Sequence, residues 1–294
     1  MLELRDLSFR YPGAAQAALQ GINLQLQAGE CLGLLGSNGA GKTTLLSLLS
    51  GVLERQQGEI RWSGPRSPGL VPQQLAFYGA LKVLENLELF ADLYRLRGAE
   101  RRQRLDHCIA CTALSDKLTR RAESLSGGEQ RRLNFAIGLL QPAQVYLFDE
   151  ATVGVDAQSR QLLLGAVEQL TADGKAVIYT SHYLEEVERV AQRILLLHEG
   201  QVRLDLDTRH LLGDEHSLLL EWPQSVPAGF DALLADLRLG VEALPNGLRI
   251  ANLDAVQLQV ISQFIAQHNC PPNLLRFGRP SLEQLYLSLN GGRL

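Results

Sequence analysis

Long apolar runs are absent from this chain of 294 residues. No stretch approaches the roughly 18 consecutive apolar residues of a membrane-crossing helix, so membrane association has to come through a partner. The opening residues, Met1-Leu2-Glu3-Leu4-Arg5-Asp6, hold no apolar signal segment, and no secretory signal is expected. Runs of one charge are missing as well. Lysine and arginine total 28 against 32 aspartates and glutamates, a net charge of −4. That balance does not favour nucleic acid as a partner. Cysteine is scarce, with four in all. Cys108 and Cys111 form a C-x-x-C with no second pair, in a stretch that reads as helix. Such a lone pair is packing rather than a metal or redox site. Cys31 lies in a core strand, and Cys270 stands before two prolines without an evident role.

What is present begins with a hydrophobic content of 46%, enough for a core. The length fits one large domain, or one large and one small. The dominant stretch is Gly36-Ser37-Asn38-Gly39-Ala40-Gly41-Lys42-Thr43-Thr44, which reads G-x-x-x-x-G-K-T. Before it, Cys31 to Leu35 is an apolar run of buried-strand type. After it, Leu45, Leu46, Leu48 and Leu49 sit at helical spacing. This strand–loop–helix context is the one a phosphate-binding loop needs. Its glycines let the backbone curl around a phosphate, and its N–H groups with the helix N-terminus point at negative charge. Lys42 is expected to reach the β- and γ-phosphates, and the Thr43 hydroxyl to bind Mg²⁺.

The rest of the chain organises around that loop. Residues 2–9 and 22–26 alternate as half-buried strands. Gly58 to Trp62 is a further strand, and Ser63 to Gly69 a loop. From Val83 the texture becomes helical, with a first helix closed by Arg97-Gly98, a second over about 99–113, and a third from near Ser126 to Leu140. Strand–helix alternation then resumes: strands at 145–148, 176–179 and 194–197, helices at 158–170 and 184–191. Repeated βα units with apolar strands indicate a parallel sheet covered on both faces. Near Gly213 the pattern shifts to a small α+β domain, with strands at 217–222, 248–251 and 274–277 and helices at 230–237, 256–266 and 282–289.

Four further stretches carry chemistry. Leu125-Ser126-Gly127-Gly128-Glu129-Gln130 opens a helix and offers an anion site; it also reads as a Ser N-cap with Glu129 completing a capping box. Val145 to Phe148 ends in Asp149 and Glu150 at the C-terminal end of a parallel strand, where ligands of such sheets bind. Asp149 is suited to Mg²⁺, and Glu150 to activating water as general base. Thr180-Ser181-His182 follows another apolar strand, so His182 falls at the same edge and can contact a γ-phosphate. Gln73, after Val71-Pro72, offers an amide to Mg²⁺ and water, and the Tyr11 ring can stack on adenine.

In this order the motifs resemble the ATP-binding subunit of an ABC transporter over residues 1 to about 210. The resemblance implies a P-loop NTPase core of α/β class. It has a mostly parallel sheet, an antiparallel β subdomain, a helical signature subdomain over about 83–140, and a small C-terminal α+β domain. The division expected is 1–213 and 214–294. Gly36 to Thr44 match the Walker A loop, Gln73 the Q-loop glutamine, and Ser126 to Gln130 the signature motif. Asp149 and Glu150 match the Walker B aspartate and catalytic glutamate, Asp156 the D-loop, and His182 the switch histidine. Residues 150–160, the Ser181-His182-Tyr183-Leu184-Glu185-Glu186 stretch and Pro280-Ser281-Leu282-Glu283-Gln284-Leu285-Tyr286-Leu287 are similar to drug and polysaccharide exporters of the daunorubicin-resistance-like group. Ala151 and Ala157 replace prolines of that group without removing a functional group.

The resemblance implies ATP and Mg²⁺ as cofactors and a second ATP-binding copy packed head to tail. Ser126 and Gly128 then act on the nucleotide held by Lys42 of the partner. It also implies an integral-membrane permease as a separate chain, with this subunit at the inner face of the cell membrane. The alternative class is a soluble ABC ATPase acting on nucleic acid, the ribosome or an assembly scaffold. One phosphate loop and no sustained heptads speak against it.

Overall fold

The computed structural model describes residues 1–64, 66–208, 217–222, 226–227, 229–244, 247–251, 253–278 and 282. The expected break at Gly213, and the helix expected over 282–289 with its 280–287 motif, lie outside the described residues apart from Leu282. The chain divides into two compact units, Met1–Asp207 and Thr208–Leu294.

In the first unit, β1 (Leu2–Phe9), β2 (Leu19–Leu26) and β4 (Gln57–Trp62) form an antiparallel sheet in the order β2-β1-β4. A six-stranded sheet holds β3 (Cys31–Leu35), β5 (Gly69–Val71), β6 (Val145–Asp149), β7 (Ala176–Thr180), β8 (Arg193–His198) and β9 (Gln201–Asp207). Its order is β5-β6-β7-β3-β8-β9. The first five of these run parallel, and β9 returns antiparallel to β8. Every residue of β3, β6 and β7 is buried, as strands covered on both faces must be.

Between the two sheets lies α1 (Lys42–Ser50). Leu45, Leu46, Leu48 and Leu49 are all buried, joining Leu4 and Leu24 of the antiparallel sheet to Leu147, Ile178 and Leu195 of the parallel one. A fully buried leucine contributes about 1.5–3 kcal/mol, so this sandwich fixes where α1 begins and hence where the phosphate loop sits.

The helical segment holds α2 (Val83–Leu93), α3 (Gly98–Cys111), a 3₁₀ turn (Ala122–Ser124) and α4 (Gly127–Leu140). Helix α4 lies directly on β5: a Cβ on Gly138 would meet Val71 Cγ2 at 2.4 Å and Leu70 O at 2.7 Å. Cys108 is buried in this segment and Cys111 half-buried, both free. Burial pushes the Cys111 thiol up to about 11, which suits packing rather than reactivity. The remaining helices are α5 (Ala157–Ala172) and α6 (Leu184–Val190).

Among the described residues the second unit runs β-α-β-β-α-β: β10 (Ser217–Glu221), α7 (Phe230–Asp236), β11 (Val241–Leu244), β12 (Gly247–Ile250), α8 (Ala255–Gln267) and β13 (Leu274–Gly278). Its strands pair antiparallel in the order β11-β12-β10-β13. Leu218, Leu220, Leu248 and Ile250 form its core with Phe230, Leu234 and Ile261.

Three local expectations differ. Gly69, expected in loop, opens β5, where its bare Cα accommodates the Tyr146 ring. Strands β9 and β11 were not expected. In β9, Val202, Leu204 and Leu206 alternate with polar residues, but β9 is an edge strand in which no residue is fully buried. β11 reads Val-Glu-Ala-Leu, its two large apolar residues three apart rather than alternating, so it carries no period-two signal.

Candidate functional site

Because β3, β5, β6 and β7 run parallel, their C-terminal ends share one edge. Each carries a sequence-predicted residue there: the phosphate loop after β3, Gln73 after β5, Asp149 and Glu150 at the end of β6, His182 after β7. A cleft opens along this edge, lined by Tyr11, Asn38, Gly39, Gly41, Lys42, Thr43, Thr44, Gln73, Glu150 and His182.

The loop's shape depends on glycine at two points. Gly36 has φ 154° and Gly41 has φ 107°. A Cβ on Gly36 would stand 2.5 Å from Leu197 O, and one on Gly41 2.6 Å from Ala18 O. Lys42 folds its ammonium back over the loop, donating to Gly36 O at 2.7 Å and Ser37 O at 3.2 Å. Burial holds its pKa below the usual 10.5, opposed by the charges of Glu150 and Asp149. Thr43 is exposed to the cleft, whereas Thr44 is buried and shares a 3.2 Å hydrogen bond with the Tyr11 hydroxyl. The Tyr11 ring stands edge-on to Phe9 at 5.0 Å, which fixes it at the rim.

The two carboxylates are set by Thr180. Its hydroxyl donates to Asp149 Oδ1 at 3.0 Å and accepts from the Glu150 N–H at 3.0 Å. Glu150 takes φ 49°, a conformation costly for a side-chain-bearing residue and found at functional sites. Its Oε2 accepts from Gln73 Nε2 at 2.7 Å, and its Oε1 lies 2.7 Å from His182 Nε2.

The loop bearing Gln73 is held by α4. Asn134 Oδ1 accepts from Ala76 N at 2.8 Å, and its Nδ2 donates to Pro72 O at 3.0 Å. Arg131, one turn earlier, donates to Gln73 O. Neither residue was singled out in the sequence. A lone Asn or Arg in a helix carries no local signal, and only its burial against the loop reveals the clamp.

The signature residues do not line the cleft. Ser126 caps α4, its hydroxyl accepting from Glu129 N at 3.3 Å while Glu129 Oε2 accepts from Ser126 N at 2.8 Å. Glu129 also pairs with Lys117 at 3.2 Å, and Gln130 Nε2 donates to Leu125 O at 3.2 Å. The side chains of Glu129 and Gln130 therefore hold the turn together. Gly127 has no neighbouring atom where a Cβ would stand, and Gly128 faces Asp156. Asp156 caps α5, accepting from Ser159 N at 2.9 Å. Its carboxyl is held below the usual range chiefly by the Ser159 hydrogen bonds.

A glycine-lined loop with a buried lysine, closed by a strand-end carboxylate pair and a histidine, defines a P-loop ATPase. The comparisons agree. The ABC transporter family profile matches residues 19–153. The linearmycin resistance ATP-binding protein LnrL of Bacillus subtilis is 32% identical over 100% of this chain and 99% of its own length. The Nod factor export ATP-binding protein I of Ralstonia nicotianae is 30% identical, covering 99% and 94%. The dimeric cassette MJ0796, a bacterial ABC transporter cassette, superposes with TM-score 0.65 at 26% identity over 71% of this chain and 99% of that one. MJ0796 is also known in a post-hydrolysis state bound to ADP and Pi. This chain belongs to the ABC transporter ATP-binding proteins, and it is an ATPase.

Proposed function

We propose that the chain is the ATP-hydrolysing subunit of an exporter, working as a head-to-tail pair and driving a separate membrane permease. The observation that carries this reading is the separation of the two anion sites. Lys42 lines the cleft; Ser126, Gly127, Gly128 and Asp156 do not. One chain thus offers half of each nucleotide site, and a second copy supplies the other half. The dimeric MJ0796 cassette supports the pairing. The names of the linearmycin and Nod factor relatives support export.

Within the pair, Lys42 and the loop N–H groups hold the phosphates, and Tyr11 supports the base. Thr43, Asp149 and Gln73 offer a hydroxyl, a carboxylate and an amide oxygen, the hard donors that suit Mg²⁺. Among the described residues no group of three His, Cys, Asp or Glu side chains encloses a metal. That fits Mg²⁺, which is commonly held by one or two protein ligands together with substrate phosphates. Bound there, the ion supplies charge neutralisation between the phosphates. Glu150 accepts the proton of the attacking water, and His182 and Gln73 position that water. No described helix is long and apolar enough to cross a membrane, so the transport path belongs to another chain. The surface of α2 and of the Gln73 loop is the proposed contact with it.

The test is co-expression with a candidate permease, followed by detergent extraction and pull-down. A stoichiometric complex whose ATPase responds to the permease is expected. Recovery with ribosomes or nucleic acid instead would favour a soluble ABC ATPase.

A further inference from the structure

Glu186 of α6 is a buried carboxylate with no part in the chemistry described above. It is 3% exposed. Its Oε2 accepts three hydroxyl hydrogen bonds: Thr152 Oγ1 at 2.7 Å, Tyr179 OH at 2.8 Å and Ser181 Oγ at 2.6 Å. Its Oε1 lies 3.2 Å from Arg160 Nε. All three hydroxyl residues are themselves buried. Hydroxyls that donate to one oxygen need an acceptor there, and removing it strands three donors away from water.

What these partners adjoin gives the cluster its meaning. Thr152 lies two residues after Glu150, in the turn where Val153 N reaches back to Glu150 O at 3.3 Å. Ser181 lies immediately before His182. Its hydroxyl also accepts from Tyr183 N at 3.0 Å, which shapes the backbone on the far side of His182. Tyr179 precedes Thr180, which sets Asp149 and Glu150. Arg160 belongs to α5, the helix that Asp156 caps, and stacks 4.4 Å over the Tyr183 ring. One carboxylate therefore ties the turn after Glu150, the segment carrying His182 and the helix after Asp156. Burial and the neighbouring Glu186 charge push the Tyr179 phenol well up, which keeps it a donor.

We propose that Glu186 is a positioning residue for hydrolysis: it holds the Glu150 turn and the His182 segment in mutual register. The need for it lies in Glu150 itself, whose φ of 49° must be over-determined by its surroundings. The inference rests on Glu150 acting as the base, so Glu150→Gln is measured first.

The experiment uses the full chain with ATP–Mg²⁺, reading single-turnover phosphate release, nucleotide affinity and thermal melting. Glu186→Ala is expected to lower the hydrolytic rate by between about tenfold and about 10²-fold, the scale of a misplacement of about 1 Å. Nucleotide affinity should stay within about twofold, because the phosphate loop is untouched. Glu186→Gln, which keeps an acceptor oxygen, should recover part of the rate. If Glu186→Ala folds poorly, Thr152→Val and Ser181→Ala each remove one donor from the cluster, and each should slow hydrolysis without changing affinity. In a Glu150→Gln background, Glu186→Ala should cost little more. Full activity of Glu186→Ala, or an undiminished further loss in the Glu150→Gln background, overturns the proposal. So does wild-type activity in both donor variants. Wild-type hydrolysis by Glu150→Gln alone instead removes the base assignment on which the proposal stands.

Discussion

Gln73 and Glu150 stand 77 positions apart in the chain and meet at 2.7 Å, amide to carboxylate. With His182 on the other oxygen, both acceptor atoms of Glu150 face protein groups. A water that is to give Glu150 a proton has to share or displace one of these contacts. Both partners sit on loops, and the Gln73 loop is the one that α4 holds through Asn134 and Arg131.

Glu150→Gln should bind ATP normally and fail to hydrolyse it. An amide of the same shape preserves the neighbouring contacts but cannot accept the proton. Loss of a general base costs about 10²–10⁴-fold in rate. Size-exclusion chromatography with and without ATP–Mg²⁺, alongside phosphate release, should find an ATP-dependent dimer with only a residual turnover, slowed by that factor. Normal turnover would transfer the role to another group, with His182 next in line.

Lys42→Ala should lose nucleotide affinity. Hydrogen bonds to charged groups contribute about 1.5–3 kcal/mol each, so at least a tenfold weakening is expected by calorimetry. The wild-type protein adds a pH signature. Burial holds the ammonium below 10.5, and a neutral amine does not attract phosphate. ATP affinity should therefore fall as pH rises through that depressed value, sooner than for an exposed lysine. The stability term has the opposite sign. Between the depressed value and 10.5 the folded chain binds fewer protons than the unfolded one, so this group's contribution to stability rises with pH there. An affinity that stays flat up to the ordinary lysine range would contradict this.

Asn134→Ala should destabilise the first unit by about 1–3 kcal/mol, the cost of stranding buried partners. It removes the acceptor for Ala76 N and the donor to Pro72 O together. Urea unfolding is the measurement. Asn134→Asp restores only the acceptor and should fall between.

Truncation after Asp207 should leave ATP binding intact, since every described residue lining the cleft precedes that point. Equilibrium binding on the shortened, folded chain checks it. Loss of binding would make the second unit part of the nucleotide site.

Much of this was legible in the sequence because the informative strands are short, apolar and end in polar residues. Leu32 to Leu35 before the glycines, Val145 to Phe148 before Asp149, and Ala176 to Tyr179 before Thr180 each announced a buried strand and its working end. The capping box of Ser126 and Glu129 was equally local, a matter of spacing alone. Asn134 and Arg131 were invisible, since what they clamp lies about 60 residues earlier in the chain. Glu186 lies within the family-like stretch after His182, but nothing in its sequence neighbours foretells burial. A glutamate at a helix start reads as solvated until α5 and β7 close over it.

The parallel sheet gives its two ends unequal tolerance for added length. The phosphate loop, Gln73, the Asp149-Glu150 pair and His182 all hang from C-terminal strand ends, where one inserted residue would swing a functional side chain out of the cleft. The N-terminal ends answer to no such constraint. Asp173 and Gly174, in the turn that leads into β7, lie at that opposite end, and Asp173 is exposed. A fluorophore, an affinity tag or a spliced peptide belongs there. Inserted at that point, a reporter would ride on the ATPase without entering its chemistry.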